Sequence, residues 1–261
     1  MRVIFLIFIL SVQFSFAQDL SLYEKHYFQT KELTLPYRYL RPVSDSPSSY
    51  PLLIFLHGAF ERGSDNEQHL IPTGKFFLRD SLRKNYPAYL LYPQCPADMA
   101  WGHLKVITDP RQGTVGQILF PAKKEPTATA SSLKQLIDSL IVNDNIDSSR
   151  IYIIGYSHGG HGVLEMIARY PERFAAGVSI AGGGNPATAK NFAGRTALWL
   201  FQGEKDSIVS PSYSFQFYKR LKRRRADVRL TRYPRAGHDI LERALLEPRL
   251  LEWIFSKKKN P

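Results

Sequence analysis

A single cysteine in 261 residues, Cys95, excludes an intramolecular disulfide and with it any disulfide-stapled scaffold. Cys95 also lies too far from the N-terminus to carry a lipid anchor, and it reads as a small buried side chain. No apolar run approaches the ~20 residues needed to cross a bilayer as a helix. Acidic residues are scarce, 23 against 35 Lys and Arg, and the resulting charge of +12 suits polyanionic surroundings. Internal repeats and low-complexity tracts are missing too. What is there, 44% hydrophobic and 22% charged residues, describes a folded globular protein of a length that suits one α/β domain.

At the N-terminus Arg2 precedes the apolar run Val3–Leu10, polar Ser11 and Gln13 end its apolar character, and Ser15 and Ala17 form a small-residue pair. This layout predicts a signal peptide over 1–17, cleaved after Ala17, and leaves 18–261 as one domain, secreted or periplasmic and without a stable membrane anchor. The densest basic cluster, Lys219–Arg225, and the run Lys257–Lys259 read as solvated helix faces. With no base-stacking aromatics interleaved, they predict no nucleic-acid partner.

Short continuous apolar runs, Leu52–Leu56 and Ala88–Tyr92, suit strands buried on both faces. From Ser131, apolar residues at 133, 136, 137, 140 and 141 place one stripe on a helix. Strands at 151–155, 175–181, 197–201 and 228–233 then alternate with helices at about 160–170 and 212–225, and a last helix starts at Pro248. An extended stretch at 32–41 precedes them. Alternation of this kind means βαβ units and a mostly parallel sheet with helices on both faces. Residues 102–126 show no period and read as an insertion that helps form a pocket rim.

Gly155-Tyr156-Ser157-His158-Gly159 comes directly after a strand and opens a helix. In that context G-x-S-x-G makes a sharp turn that holds a serine hydroxyl out at the carboxyl end of a sheet. A serine nucleophile requires a base and a group to orient it, in the order Ser, acid, His. Asp206, just beyond the strand 197–201, and His238, in the loop after the last strand, meet that order. Glu204 is the alternative acid, whereas Asp227 lies before its strand and Asp239 adjoins the histidine. Donors for a developing oxyanion are expected from the backbone N–H groups of Ala59 and His158. His158 and His161 share a helix face but have no evident third ligand, so a surface position or first-turn hydrogen bonding is expected of them and neither metal nor cofactor. Glu61 and Arg62 are expected to pair and brace the Ala59 turn.

The pieces F-L-H-G-A-F-E-R-G-S-D-N, Y-P-Q-C-P-A-D-M-A-W, the segment around Ser157, G-E-K-D-S-I-V-S-P and A-G-H-D resemble the feruloyl-esterase and polyhydroxyalkanoate-depolymerase-like esterases of the α/β-hydrolase superfamily. The resemblance runs from about Tyr37 to Phe255. It implies Ser157, Asp206 and His238 as a catalytic triad, Ala59 and His158 as the oxyanion hole, and a pocket near Trp101. Phe60, Trp101 and Tyr156 are then candidates to stack on an aryl acid or a sugar ring. A small ester or an ester-decorated polysaccharide is the expected substrate. The rival readings are a serine peptidase of the prolyl-oligopeptidase type and a non-catalytic binding protein on a hydrolase fold. Two departures bear on pocket shape: Phe60 stands where glycine is common, and His158 where methionine is common.

Overall fold

The computed structural model describes residues 19–43, 49–108 and 115–259, so the signal peptide expected over 1–17 lies outside the described residues. Among the described residues there are ten strands: β1 Glu24–Gln29, β2 Thr34–Leu40, β3 Tyr50–Leu56, β4 Tyr89–Pro93, β5 Lys105–Thr108, β6 Val115–Leu119, β7 Ile146–Tyr156, β8 Ala176–Ile180, β9 Ala197–Gly203 and β10 Val228–Tyr233. Eight of them form one sheet in the order β1-β2-β4-β3-β7-β8-β9-β10, while β5 and β6 make a separate antiparallel hairpin. From β4 through β10 every pairing in that sheet is parallel, and only the β1 and β2 edge is antiparallel.

Eight α-helices accompany them among the described residues: α1 Gly74–Phe77, α2 Asp80–Asn85, α3 Ala128–Asn143, α4 His158–Arg169, α5 Ala189–Phe192, α6 Ser212–Arg223, α7 Leu241–Leu245 and α8 Leu250–Phe255. The two-residue period of the strands divides the core between the two faces of the sheet. Leu52, Ile54 and Leu56 of β3 join Leu133, Ile167 and Phe217 under α3, α4 and α6. Leu53 and Phe55 face the other way and join Phe77, Trp253 and Ile254 under α1 and α8. Coverage on both sides explains why all seven residues of β3 are buried and why its sequence reads as an unbroken apolar run. Helix α3 starts where Thr127 Oγ1 accepts the Ala130 N–H at 3.1 Å, a side-chain cap.

The expected strands and helices are observed within a few residues, with β7 starting earlier, at Ile146, and with the short helices α1, α2, α5 and α7 additional to them. Three further differences concern β1, α8 and the segment 102–126. Strand β1 is additional to the expected set; it is an edge strand whose alternate residues are exposed, so it lacks a strong apolar signature. Helix α8 begins at Leu250, two residues past Pro248. The unpatterned segment 102–126 holds the β5–β6 hairpin, docked by the Tyr213 hydroxyl on the Ile118 carbonyl at 2.9 Å and by Phe120 edge-on to Tyr213. Among the described residues no helix is long and apolar enough to cross a membrane.

Candidate active site

Ser157 sits between β7 and α4 at φ 54°, in the left-handed region that non-glycine residues seldom adopt, at a cost on the order of 1–3 kcal/mol. The turn is held by the Ser157 N–H on the Ile180 carbonyl at 2.8 Å and the His161 N–H on the Ser157 carbonyl at 3.0 Å. It is tight enough to exclude side chains on both flanks. A Cβ on Gly155 would lie 2.3 Å from the Gly159 carbonyl oxygen, and one on Gly159 would lie 1.9 Å from that of Leu56. The Gly159→Ala variant is expected to lose on the order of 10²-fold in kcat/KM and to melt at lower temperature, because the clash is with the backbone that leads into the Ala59 turn. Ester turnover and a thermal melt of the purified variant check this.

His238 and Asp206 converge on the serine from the ends of β10 and β9. His238 Nε2 lies 2.8 Å from Ser157 Oγ, and His238 Nδ1 lies 2.8 Å from Asp206 Oδ2. Asp206 Oδ1 accepts the N–H groups of Ile208 and Val209, both at 2.9 Å, and Oδ2 also accepts from Gln202 Nε2 at 3.1 Å. Burial works against the carboxylate charge, but the hydrogen bond from His238 and those from the backbone outweigh it and hold the carboxyl below its ordinary value of 3.8. The competing acids are engaged elsewhere. Glu204 is paired with Arg232, Asp227 with Lys257 at 2.7 Å near the amino end of β10, and Asp239 is exposed.

The turn after β3 is braced from both sides of Ala59. Cys95 N–H donates to His57 Nε2 at 2.9 Å, which leaves the proton of the neutral ring on Nδ1, 2.7 Å from the Gly58 carbonyl. In a trans peptide the C=O and N–H point in opposite directions, so fixing the Gly58 carbonyl also fixes the direction of the Ala59 N–H. Burial pushes His57 down to about 4, so the ring keeps this neutral form through the physiological range. Arg62 donates to the Ala59 carbonyl at 2.9 Å and to the Met99 carbonyl at 3.1 Å. The His158 N–H occupies the first position of α4, where a helix offers its amides no acceptor of its own.

This frame, a parallel sheet with a serine at a strained strand-to-helix turn, coincides with a sequence match over residues 43–247 to one family, phospholipase/carboxylesterase. The chain belongs to that family of α/β-hydrolases. It is 30% identical over 140 residues to poly(3-hydroxyalkanoate) depolymerase C of Paucimonas lemoignei, a match over 54% of this chain and 30% of the depolymerase, so the chain spans under a third of that relative's length. A crystal structure of a thermostable esterase superposes with a TM-score of 0.78 at 27% identity, covering 92% of this chain and 64% of the esterase. The acylaminoacyl peptidase of Pyrococcus horikoshii shares the fold at 17% identity with a TM-score of 0.60, covering 93% of this chain and 43% of the peptidase.

Within this family frame several expected placements are corrected. Trp101 is fully buried, its indole N–H 3.4 Å from the His57 carbonyl oxygen and its ring 5.3 Å from the His57 ring. It supports the Ala59 turn from beneath and offers no face to a substrate. Glu61 and Arg62 do not pair, since the guanidinium is directed to the two carbonyls. His158 and His161 are buried rather than at the surface. Burial pushes His158 down to about 3, a neutral ring that fills the methionine-like position as an apolar group, while His161 Nδ1 meets the Gly183 carbonyl at 2.9 Å. Cys95 is buried as expected, and burial pushes its thiol up to about 12. Phe60 is 93% exposed on the Ala59 turn, and the half-buried Tyr156 ring lies 5.5 Å from that of His238.

Sequence reading missed the groups behind these. Gln202 links Asp206 to Ser214, whose Oγ donates to Gln202 Oε1 at 2.9 Å. Gln94 accepts the Asn66 N–H at 2.7 Å and donates to Asp65 at 2.8 Å, holding the far end of the loop that carries Ala59. Nothing in their local sequence marks either glutamine, because both act through partners from other strands and loops.

Proposed function

We propose that this protein is an exported carboxylic-ester hydrolase that works through an acyl-enzyme on Ser157, with small acyl or aryl esters of carbohydrate as substrates. The observation that carries the reading is the hydrogen-bonded line from Asp206 through His238 to Ser157. His238 Nε2 takes the hydroxyl proton as Ser157 Oγ attacks the ester carbonyl, and Asp206 holds the ring in the tautomer that leaves Nε2 free. The oxyanion forms against the N–H groups of Ala59 and His158. His238 then returns the proton to the leaving alcohol, and water repeats the sequence to release the acid. Phe60 and Tyr156 supply aromatic surface beside the serine for an aryl acid or a sugar ring. The leader at 1–17 suits an enzyme whose polymeric substrate stays outside the cell.

The test is kcat/KM on methyl ferulate, an acetylated xylan oligomer, p-nitrophenyl acetate, a C16 ester emulsion and a peptide amide. The first three are expected to be cleaved much faster than the last two. Preference for the amide would favour a peptidase, and failure of a phosphonate probe to label the serine would point to a non-catalytic protein. Among the described residues no cluster of three or more His, Cys, Asp or Glu is placed to hold a metal ion. Turnover is therefore expected to survive EDTA unchanged; loss that zinc restores would contradict this assignment.

A further inference from the structure

A groove of about 620 Å³ runs along one face of α4, starting one helical turn from Ser157. The buried His161 and Phe120, with ring centroids 4.6 Å apart, lie at the end nearer Ser157 along α4, and Tyr170 at the other. By the rise of a helix the groove is about 14 Å long, far more than a small acyl group needs.

Its walls are built and charged. The Arg169 guanidinium is paired with Glu165 on the next turn and donates to the carbonyls of Lys124 at 2.7 Å and Lys123 at 2.9 Å. Arg169 thus has its charge met by Glu165 and serves as a clamp that fixes the 121–126 segment against α4. Lys123 and Lys124 on that segment share the lining with Lys190, Asn185 and Asn191. Asn185 Oδ1 accepts the Ala187 N–H at 3.0 Å and Asn191 Nδ2 donates to the Ala168 carbonyl at 3.3 Å, which leaves the other amide atom of each for a ligand. All three lysines are exposed, and among the described residues none has a carboxylate within ion-pair distance. Glu125, on the same segment, is not part of the lining.

We propose that this groove holds a stretch of a uronate-bearing polysaccharide, with the lysines on sugar carboxylates and the unengaged Asn185 Nδ2 and Asn191 Oδ1 on hydroxyls. The proposal rests on the ester-hydrolase reading, since it places the ester of the same polymer at Ser157. Three cations without a carboxylate partner, with Asn185 and Asn191 beside Lys190, fit a chain that alternates carboxylate with hydroxyl. A nucleic acid would have only Tyr170 as a partly buried aromatic for its bases.

The Ser157→Ala protein, which retains the groove, separates binding from turnover, so a failed ester assay and a failed groove give different results. Its migration is measured by affinity electrophoresis through polygalacturonate, neutral dextran and a single-stranded oligodeoxynucleotide. Retardation by polygalacturonate alone is expected. The triple variant Lys123→Gln, Lys124→Gln, Lys190→Gln should raise Kd on the order of tenfold, whereas Lys219→Gln, Arg220→Gln, Arg223→Gln, the same loss of charge on α6, should change it less than about twofold. Equal weakening by the two triples would reduce the effect to bulk charge and overturn the proposal. So would the absence of retardation, or an oligonucleotide bound as tightly through the same three lysines.

Discussion

Replacing Ser157 with alanine is expected to lower kcat/KM by on the order of 10⁴-fold or more and to leave the protein folded. The loss is large because the serine, histidine and aspartate act as a unit, so removal of the hydroxyl leaves only binding and the two backbone donors. The fold should survive for a local reason. Alanine has the same β-carbon as serine, so the turn at φ 54° is no more crowded than before, and the N–H and C=O bonds that hold it belong to the backbone. Far-UV circular dichroism and a thermal melt close to those of the parent, together with loss of phosphonate labelling, are the matching readouts. A variant that keeps most of its esterase activity would remove Ser157 from the chemistry.

Changing Asp206 to asparagine is expected to cost about as much, on the order of 10⁴-fold in kcat, through the tautomer of His238. The two backbone N–H groups at 2.9 Å from Oδ1 will claim the single amide oxygen, which turns the NH₂ toward His238 and Gln202. A donor facing Nδ1 moves the ring proton to Nε2, where it meets the Ser157 hydroxyl instead of accepting from it. Gln202 Nε2, also a donor at 3.1 Å, loses its acceptor at the same time. The variant also has a stability signature. Because the folded carboxyl lies below 3.8, its stabilising effect is complete above that pH and is lost as the pH falls toward the lower folded value. Denaturant melts of parent and variant between pH 3 and 6 should therefore converge in acid. An unchanged kcat in the variant would point to another orienting acid.

Much of this architecture was legible in the chain because its causes are local. Unbroken apolar runs such as Leu52–Leu56 announce strands covered on both faces, the stripe from Leu133 to Ile141 announces a helix, and glycines at 155 and 159 announce a turn that admits no Cβ. The order of Ser157, Asp206 and His238, each just past a strand, was readable for the same reason: a parallel sheet brings all its carboxyl ends to one edge. Other features depend on what lies across that edge. Whether Trp101 lines a pocket or supports a loop, whether His158 is solvated or buried, and that Arg232 takes Glu204 were settled by packing between segments remote in sequence. His57, Gln94 and Gln202 became legible only when residues far apart in the chain supplied their partners. The groove beside α4 is likewise a property of three separate segments. Periodicity and turn chemistry are written in neighbouring residues, but the direction a polar side chain takes is decided by the nearest partner left unsatisfied once the sheet has closed.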